Sequence, residues 1–256
     1  MKNTFRRIAC LSLACALPLA VAACGDDEDD DMDGEGGGGE VTGTFDLQVA
    51  HLSSDTPEVI VYVAGDDGDE PALAAPLAFT DVGQALGVPA GEYTFNVRTS
   101  DAAADSAPAL SITSTFADGD IVKVIATGLL AGDPALQTMV LAQDPTMPAD
   151  GNLRVRLAHA ASSVGEVDIW DVTDPDNPAE VLMDVPFSAV ADYLEIPAGA
   201  YTFGLDVDND MVPDVTFTTP ELGAGTIADV VAVDTPDGPA LWLWPITGTP
   251  MQVDAN

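Results

Sequence analysis

Residues 89–95 read Pro-Ala-Gly-Glu-Tyr-Thr-Phe, and residues 197–203 read Pro-Ala-Gly-Ala-Tyr-Thr-Phe. Six of the seven positions agree across an offset of 108 residues. A proline that fixes φ, a glycine that can take positive φ, and an aromatic entering a core-facing position describe a turn that feeds a strand. Downstream, Tyr93, Phe95 and Val97 alternate with Thr94, Asn96 and Arg98, and Tyr201, Phe203 and Leu205 share one face in the second copy. A period of two is the signature of a β-strand. Having the stretch twice assigns it to scaffold.

The duplication extends outward. At the same offset Ala50-His51 pairs with Ala158-His159, Glu58-Val59 with Glu166-Val167, and Phe79 with Phe187. From Ala50 to Phe95, 15 of 46 positions are identical. Beyond the motif the offset slips to 106, pairing Gly119 with Gly225 and Val124 with Val230, then to 105 for Ala135-Leu136 and Ala240-Leu241. Small deletions between matching strands are the mark of loop variation. The unit is a domain of about 100 residues, longer than the periods of solenoid repeats. Short alternating runs recur at Thr44–Val49, Val59–Val63, Ile121–Ala126 and Leu136–Leu141, with counterparts from Leu153 to Trp244, broken by Gly, Pro and Asp. That rhythm predicts an all-β chain of two tandem antiparallel β-sandwiches, Ig-like or transthyretin-like. The expected boundaries are repeat 1 at 41–142, a linker at 143–151, repeat 2 at 152–250 and a tail at 251–256. A short helical turn within Ala74–Leu86 stays open.

The order VAH-x-SxD-xP-x-V-x-VYV, F-x-x-V, VPAGxYTFxV and DGDxxKVIATG resembles the bacterial domain-of-unknown-function family 4397 across residues 44–140 and 152–247. The second copy departs from it in having Ser163 and Gly165 where the first has Asp55 and Pro57. The resemblance implies a secreted or cell-surface β-sandwich and brings no catalytic residues with it.

At the amino terminus Lys2, Arg6 and Arg7 precede an apolar run from Ile8 to Ala20. This is the plan of a secretory signal peptide, too short for a span of roughly 20 residues. Its end, Leu19-Ala20-Val21-Ala22-Ala23-Cys24-Gly25, resembles the lipobox of bacterial lipoproteins, which implies cleavage before Cys24 and lipidation of that residue. Cys10 and Cys15 fall in the removed segment, so no disulfide is expected within the mature chain. Residues 25–40 hold nine acidic residues and six glycines, a composition that cannot bury enough surface to offset its ordering entropy. We read it as an extended, self-repelling tether. It also resembles the acidic surface-export signals of some lipoproteins, and Gly25 is not the Asp associated with inner-membrane retention. Expected localisation is the bacterial envelope, lipid-anchored at the outer membrane and open to surface display.

The chain carries a formal charge of −36, and loss of the three basic residues of the signal peptide takes the mature part to −39. Only Arg98, Lys123, Arg154 and Arg156 remain basic. A field of that sign repels phosphate backbones and excludes nucleic acid as a partner. It suits cations, basic proteins or simple solubility.

Candidate chemistry is sparse. His51 and His159 are the only histidines, at equivalent sites, and each is expected to bond into the following loop near Ser54 or Ser162. No GxSxG or HExxH pattern occurs. Asp206-Val207-Asp208-Asn209-Asp210, followed by Asp214, has the spacing with which alternate oxygens wrap calcium, and resembles the acidic repeats of thrombospondin type 3. Met211 stands where a calcium loop has its turn glycine. The alternative is an acidic hairpin loop. Trp242 and Trp244 share one strand face: exposed, they could stack on a sugar or meet a partner protein, and the alternative is a strand buried on both sides. Two function classes follow. One is a non-catalytic envelope lipoprotein serving structure, adhesion or binding of a protein or polysaccharide, with calcium optional. The other is a hydrolase acting on envelope or extracellular polymers through paired carboxylates.

Overall fold

The computed structural model describes residues 43–64, 72–73, 75–103, 105–208 and 210–256. The stretches read above as signal peptide and acidic tether, with Cys24, lie outside them. In the first copy the strands are β1 (Thr44–Leu52), β2 (Val59–Ala64), β3 (Val82–Pro89), β4 (Gly91–Thr99), β5 (Leu110–Phe116), β6 (Ile121–Thr127) and β7 (Gln137–Ala142). They form two sheets, β3-β1-β6-β7 and β2-β4-β5. The second copy follows with β8 (Asn152–His159), β9 (Val167–Asp171), β10 (Ala179–Val185), β11 (Leu194–Pro197), β12 (Thr202–Asp206), β13 (Val215–Thr218), β14 (Ile227–Thr235), β15 (Gly238–Pro245) and β16 (Met251–Val253). Its sheets are β11-β8-β14-β15-β16 and β10-β9-β12-β13. The strand order of the first copy thus recurs, and among the described residues each sheet of the second has one further strand. The chain is all-β, and among the described residues there is no helix that could cross a membrane.

Pairing is antiparallel except at one place in each copy. β1 runs parallel to β6, with Asp46 opposite Ile121, and β8 runs parallel to β14, with Ala228 opposite Val155. β1 and β6, like their counterparts β8 and β14, are therefore neighbours at the centre of the large sheet. The opening of Ala74–Leu86 to a helical turn resolves as a bridge at Leu77 followed by β3.

Each copy encloses its own core between its two sheets. Phe45, Leu47, Val49, Phe95, Val97 and Val124 belong to the first, and Leu153, Leu157, Phe203, Leu205, Val230 and Leu243 to the second. The alternate residues of the large sheets are buried as well. Ala50, Leu52, Ile125, Met139 and Leu141 pack with Ala158, Val231, Val233, Trp242 and Trp244 in a third core shared by the two copies. Two large sheets therefore face each other through sides that a lone sandwich would leave in water. This is why β6 and β14 are largely apolar on both faces, interrupted at Lys123 and Asp229, rather than clean alternations.

The Pro-Ala-Gly-x-Tyr-Thr-Phe stretch does the same work twice. Ala90 N–H donates to Gly43 O at 3.0 Å and Ala198 N–H to Gly151 O at 2.9 Å, tying the turn to the start of the first strand. The tyrosine hydroxyl returns to the proline carbonyl, Tyr93 to Pro89 at 2.8 Å and Tyr201 to Pro197 at 2.6 Å. The rings stack on Phe95 and Phe203 and close their cores. The glycine has a smaller part than expected. Gly91 has φ of +157°, near the extended limit, and Gly199 is not at positive φ. A hydroxyl-to-carbonyl clasp, not a left-handed glycine, defines this corner.

The departure of Ser163 and Gly165 from the first copy also resolves. Asp55, in the β1–β2 loop, accepts hydrogen bonds from Leu130 N–H at 2.6 Å and Ala131 N–H at 3.0 Å in the β6–β7 loop. In the second copy the carboxylate sits on the opposite side, at the end of β14 where the turn to β15 begins. Asp234 accepts from Ser162 Oγ at 3.0 Å, from Ser163 N–H at 3.1 Å and from Ser163 Oγ. The loop-to-loop tie survives with donor and acceptor exchanged.

Two of the expected boundaries shift in character. Residues 251–256, read as a tail, contribute β16 and a hydrogen bond from Asn256 N–H to Thr216 O at 3.0 Å. The 143–151 connection is held in place, with Arg154 bonding both Asp144 and the Thr146 carbonyl.

Candidate functional site

Trp242 and Trp244 are 3 % and 0 % exposed. They cross edge to face at 6.0 Å inside the shared core, and the Trp244 indole N–H donates to Gly248 O at 3.1 Å. The solvent-facing sugar platform is therefore corrected: the tryptophans join the two copies. Their strand is buried on both faces because Leu241 and Leu243 point into the second core.

Beside the tryptophans lies a buried polar network that the sequence reading did not anticipate. Lys123 Nζ is 2.8 Å from Asp229 Oδ2 and 2.9 Å from Trp244 O, with both charged side chains fully buried. Arg156 Nε reaches Asp229 Oδ1 at 2.7 Å, and Gln143 Nε2 reaches Oδ2 at 2.9 Å. Burial pulls the Lys123 ammonium down to about 8, against the opposing pull of Asp229. Arg156 and Arg154 both lie over the Tyr193 ring at 4.6 Å, and Arg154 pairs with Asp144 at 2.8 Å. Arg98, in the first copy, stacks on Tyr62 and donates to Ser106 O at 2.7 Å. All four lysine and arginine side chains among the described residues are thus engaged internally. A signal existed: Lys123 and Asp229 are the same position in the two copies at the offset of 106.

The histidines are structural pillars. His51 Nε2 faces the carbonyls of Pro57 at 3.1 Å and Thr56 at 3.3 Å, and His159 Nε2 faces Gly165 O at 2.7 Å. Each therefore carries its proton on Nε2. Each ring meets the repeated phenylalanine edge-on, His51 with Phe79 and His159 with Phe187. Burial lowers both pKa values, so both rings are neutral at neutral pH. They bond into the following loop as expected, through its backbone carbonyls.

The acidic loop after β12 is built around Asp206, which is buried and equivalent to Arg98 of the first copy. Asp206 accepts from Met211 N–H at 2.7 Å and Asp208 N–H at 3.2 Å. Both residues organise the loop that follows their strand, Arg98 by donating to a carbonyl and Asp206 by accepting from amides. Met211 adopts φ of +68°, the left-handed conformation a calcium loop gives to glycine. Gly204 leaves room for the returning chain, since a Cβ there would lie 2.6 Å from Pro213 Cβ. Carboxylate oxygens of Asp206, Asp208 and Asp210 lie within 4.8 Å of one another. That span suits a hard cation at about 2.3–2.6 Å from each oxygen. Asp214 stands outside this group and accepts from Val207 N–H at 2.8 Å. The neighbouring charge of Asp210 raises the pKa of Asp208, the mark of crowded like charges.

Fold and site together define a pair of fused sandwiches with a charged seam and one acidic loop. Residues 45–170 match the family model described as a domain of unknown function (DUF4397), so this stretch is a DUF4397-like domain. No curated protein sequence matches the chain. Among solved structures, the Bacillus anthracis TIE protein aligns at 12 % identity and a TM-score of 0.23, over 75 % of this chain and 34 % of that one. The chain thus spans about a third of that protein. A streptococcal virulence factor described for alpha-glucan binding aligns at 14 % identity and 0.25, over 73 % and 93 %. An adhesin candidate from Bacteroides ovatus aligns at 11 % identity and 0.22, over 82 % and 95 %. Likeness at this level carries no inference about activity.

Proposed function

We propose that the chain is a non-catalytic, lipid-anchored module of the bacterial cell surface, serving structural, adhesive or ligand-binding contact with an envelope or extracellular protein or polysaccharide. The observation that carries this reading is the inward use of every lysine and arginine among the described residues, Arg98, Lys123, Arg154 and Arg156. Their positive charge is spent on internal contacts, so the outward field is acidic and selects neutral or cationic partners. The Cys24 lipobox and the acidic tether support display at a distance from the membrane. A hydrolase with paired carboxylates has less support. Buried Asp168 accepts from Asp184 N–H, Asp229 holds two cations, and Asp234 holds the Ser162–Ser163 turn. In intact cells, added protease is expected to degrade the wild-type protein, and Cys24→Ser is expected to move it from the membrane fraction to the soluble one. Full protection of the wild type removes surface display, and membrane retention of the variant removes the anchor.

Calcium-assisted binding is the second reading, favoured by the convergence of Asp206, Asp208 and Asp210. Calorimetric titration of Ca²⁺ into the full chain is expected to give heat that Asp208→Ala/Asp210→Ala abolishes. Because the Asp208 pKa is raised, its folded-state repulsion acts at neutral pH and is relieved as pH falls through that raised value. Ca²⁺ should therefore raise Tm at neutral pH and lose that effect as pH falls through the raised Asp208 value. No heat from either protein rejects the ion.

A further inference from the structure

The C-terminal segment seals one edge of the second sandwich. β16 lies antiparallel on β15, with Val253 opposite Leu241 and Met251 opposite Leu243. Val253 enters the core, and Asn256 then reaches across to β13, its side-chain amide meeting Thr216 and Thr218 at 3.0 Å each. One extended segment thereby bridges the edges of both sheets.

The first copy has the same edge. β7 and β5 end their sheets, and among the described residues no strand lies on either. The ladders place Val140 opposite Val124 and Leu243 opposite Val230, so Val140 is the counterpart of Leu243. Leu243 is 3 % exposed beneath β16, whereas Val140 is 44 % exposed. Ser111 and Thr113 stand where Thr216 and Thr218 receive Asn256. Edge strands are ordinarily protected by charge, proline or a bulge. β7 reads Gln-Thr-Met-Val-Leu-Ala and carries none of these, in a chain with 43 acidic residues.

We propose that the β7 edge is a strand-acceptor site for an extended segment of another protein. The occupant of the equivalent edge supplies its chemistry: an antiparallel strand with an apolar side chain opposite Val140, as Met251 is opposite Leu243, and an amide or hydroxyl group toward Ser111 and Thr113. The anionic field requires that it carry no net negative charge, which disfavours a second copy of this chain. Backbone hydrogen bonds supply affinity and the covered apolar position supplies selectivity. This deepens the binding reading above, and its test is independent of anchoring and display.

The probe is an amidated peptide, Thr-Pro-Met-Gln-Val-Asn-Ala-Asn, which is residues 249–256 with Asp254→Asn. With the full chain and saturating peptide, amide exchange across Gln137–Ala142 is expected to slow by about tenfold or more while β16 is unchanged. Val140→Lys is expected to abolish that slowing while leaving exchange in β1 and β6 as in wild type, which shows that the variant is folded. No slowing in β7, or slowing confined to β15 with release of β16, overturns the proposal. Slowing of β7 without peptide, in step with a dimer in sedimentation, also overturns it by assigning the edge to self-pairing.

Discussion

Replacing Asp229 by alanine is expected to cost about 3–5 kcal/mol of stability, because it strands two buried cations at once. Lys123 Nζ and Arg156 Nε both end on this carboxylate, and neither side chain has more than marginal access to water. Lys123→Met is expected to cost no more than about half as much, since Asp229 keeps Arg156 and Gln143 and the loss approximates one charged hydrogen bond. Denaturant unfolding of both single variants and the double variant checks this, with a coupling energy of about 0.5–3 kcal/mol expected between neighbours. An Asp229→Ala cost below about 1 kcal/mol would mean that water enters the seam and the ion pair belongs to the surface class. The pH dependence has a definite sign. The Lys123 pKa is lowered in the folded state, to about 8, so the cost of burying its charge is present below that value. It is relieved as pH rises from there toward the ordinary lysine value.

The same pair shows what was legible in the sequence and what was not. Alternation in Thr44–Val49 and Tyr93–Val97 shows the strands, and the offset of 108 shows the duplication, because side chains facing a core keep their period through divergence. Burial of the opposite faces is not visible that way. A lysine between Val122 and Val124 reads as a solvated outward position until another sheet is known to cover it. The clue lies in comparing the copies, which sets Lys123 against Asp229. Equivalent positions meet when two copies pack through the same face, and opposite charges there favour pairing of one copy with the other over pairing of like with like. The parallel contact of β1 with β6 and the strand made by Met251–Val253 were equally hidden, since both depend on which distant segments meet. The Asp206 loop was found by its spacing. That Asp206 is the buried organiser of the loop, as Arg98 is in the first copy, follows only from the fold.

Trp244→Ala is expected to be as damaging as the loss of Asp229, by a different route. Trp244 is fully buried, crosses Trp242 edge to face, donates its indole proton to Gly248 and lies 4.9 Å from Lys123 Nζ. Truncation opens a cavity where both copies contribute walls and neither can collapse alone, at a cost of about 3–5 kcal/mol. Trp244→Phe keeps much of the ring volume and is expected to recover about half of that. Because the third core includes Leu52 and Ile125 of one copy with Val231 and Trp244 of the other, wild type should unfold in one cooperative transition that the variant shifts as a whole. Independent domains on a linker would instead show two transitions, only one of them sensitive to Trp244. Fluorescence supplies a second readout: iodide should leave the emission of Trp242 and Trp244 unquenched in wild type, in keeping with their burial. Quenching of that emission by iodide, or a response to added oligosaccharide, would return the tryptophan strand to the surface and dissolve the shared core that couples the two sandwiches.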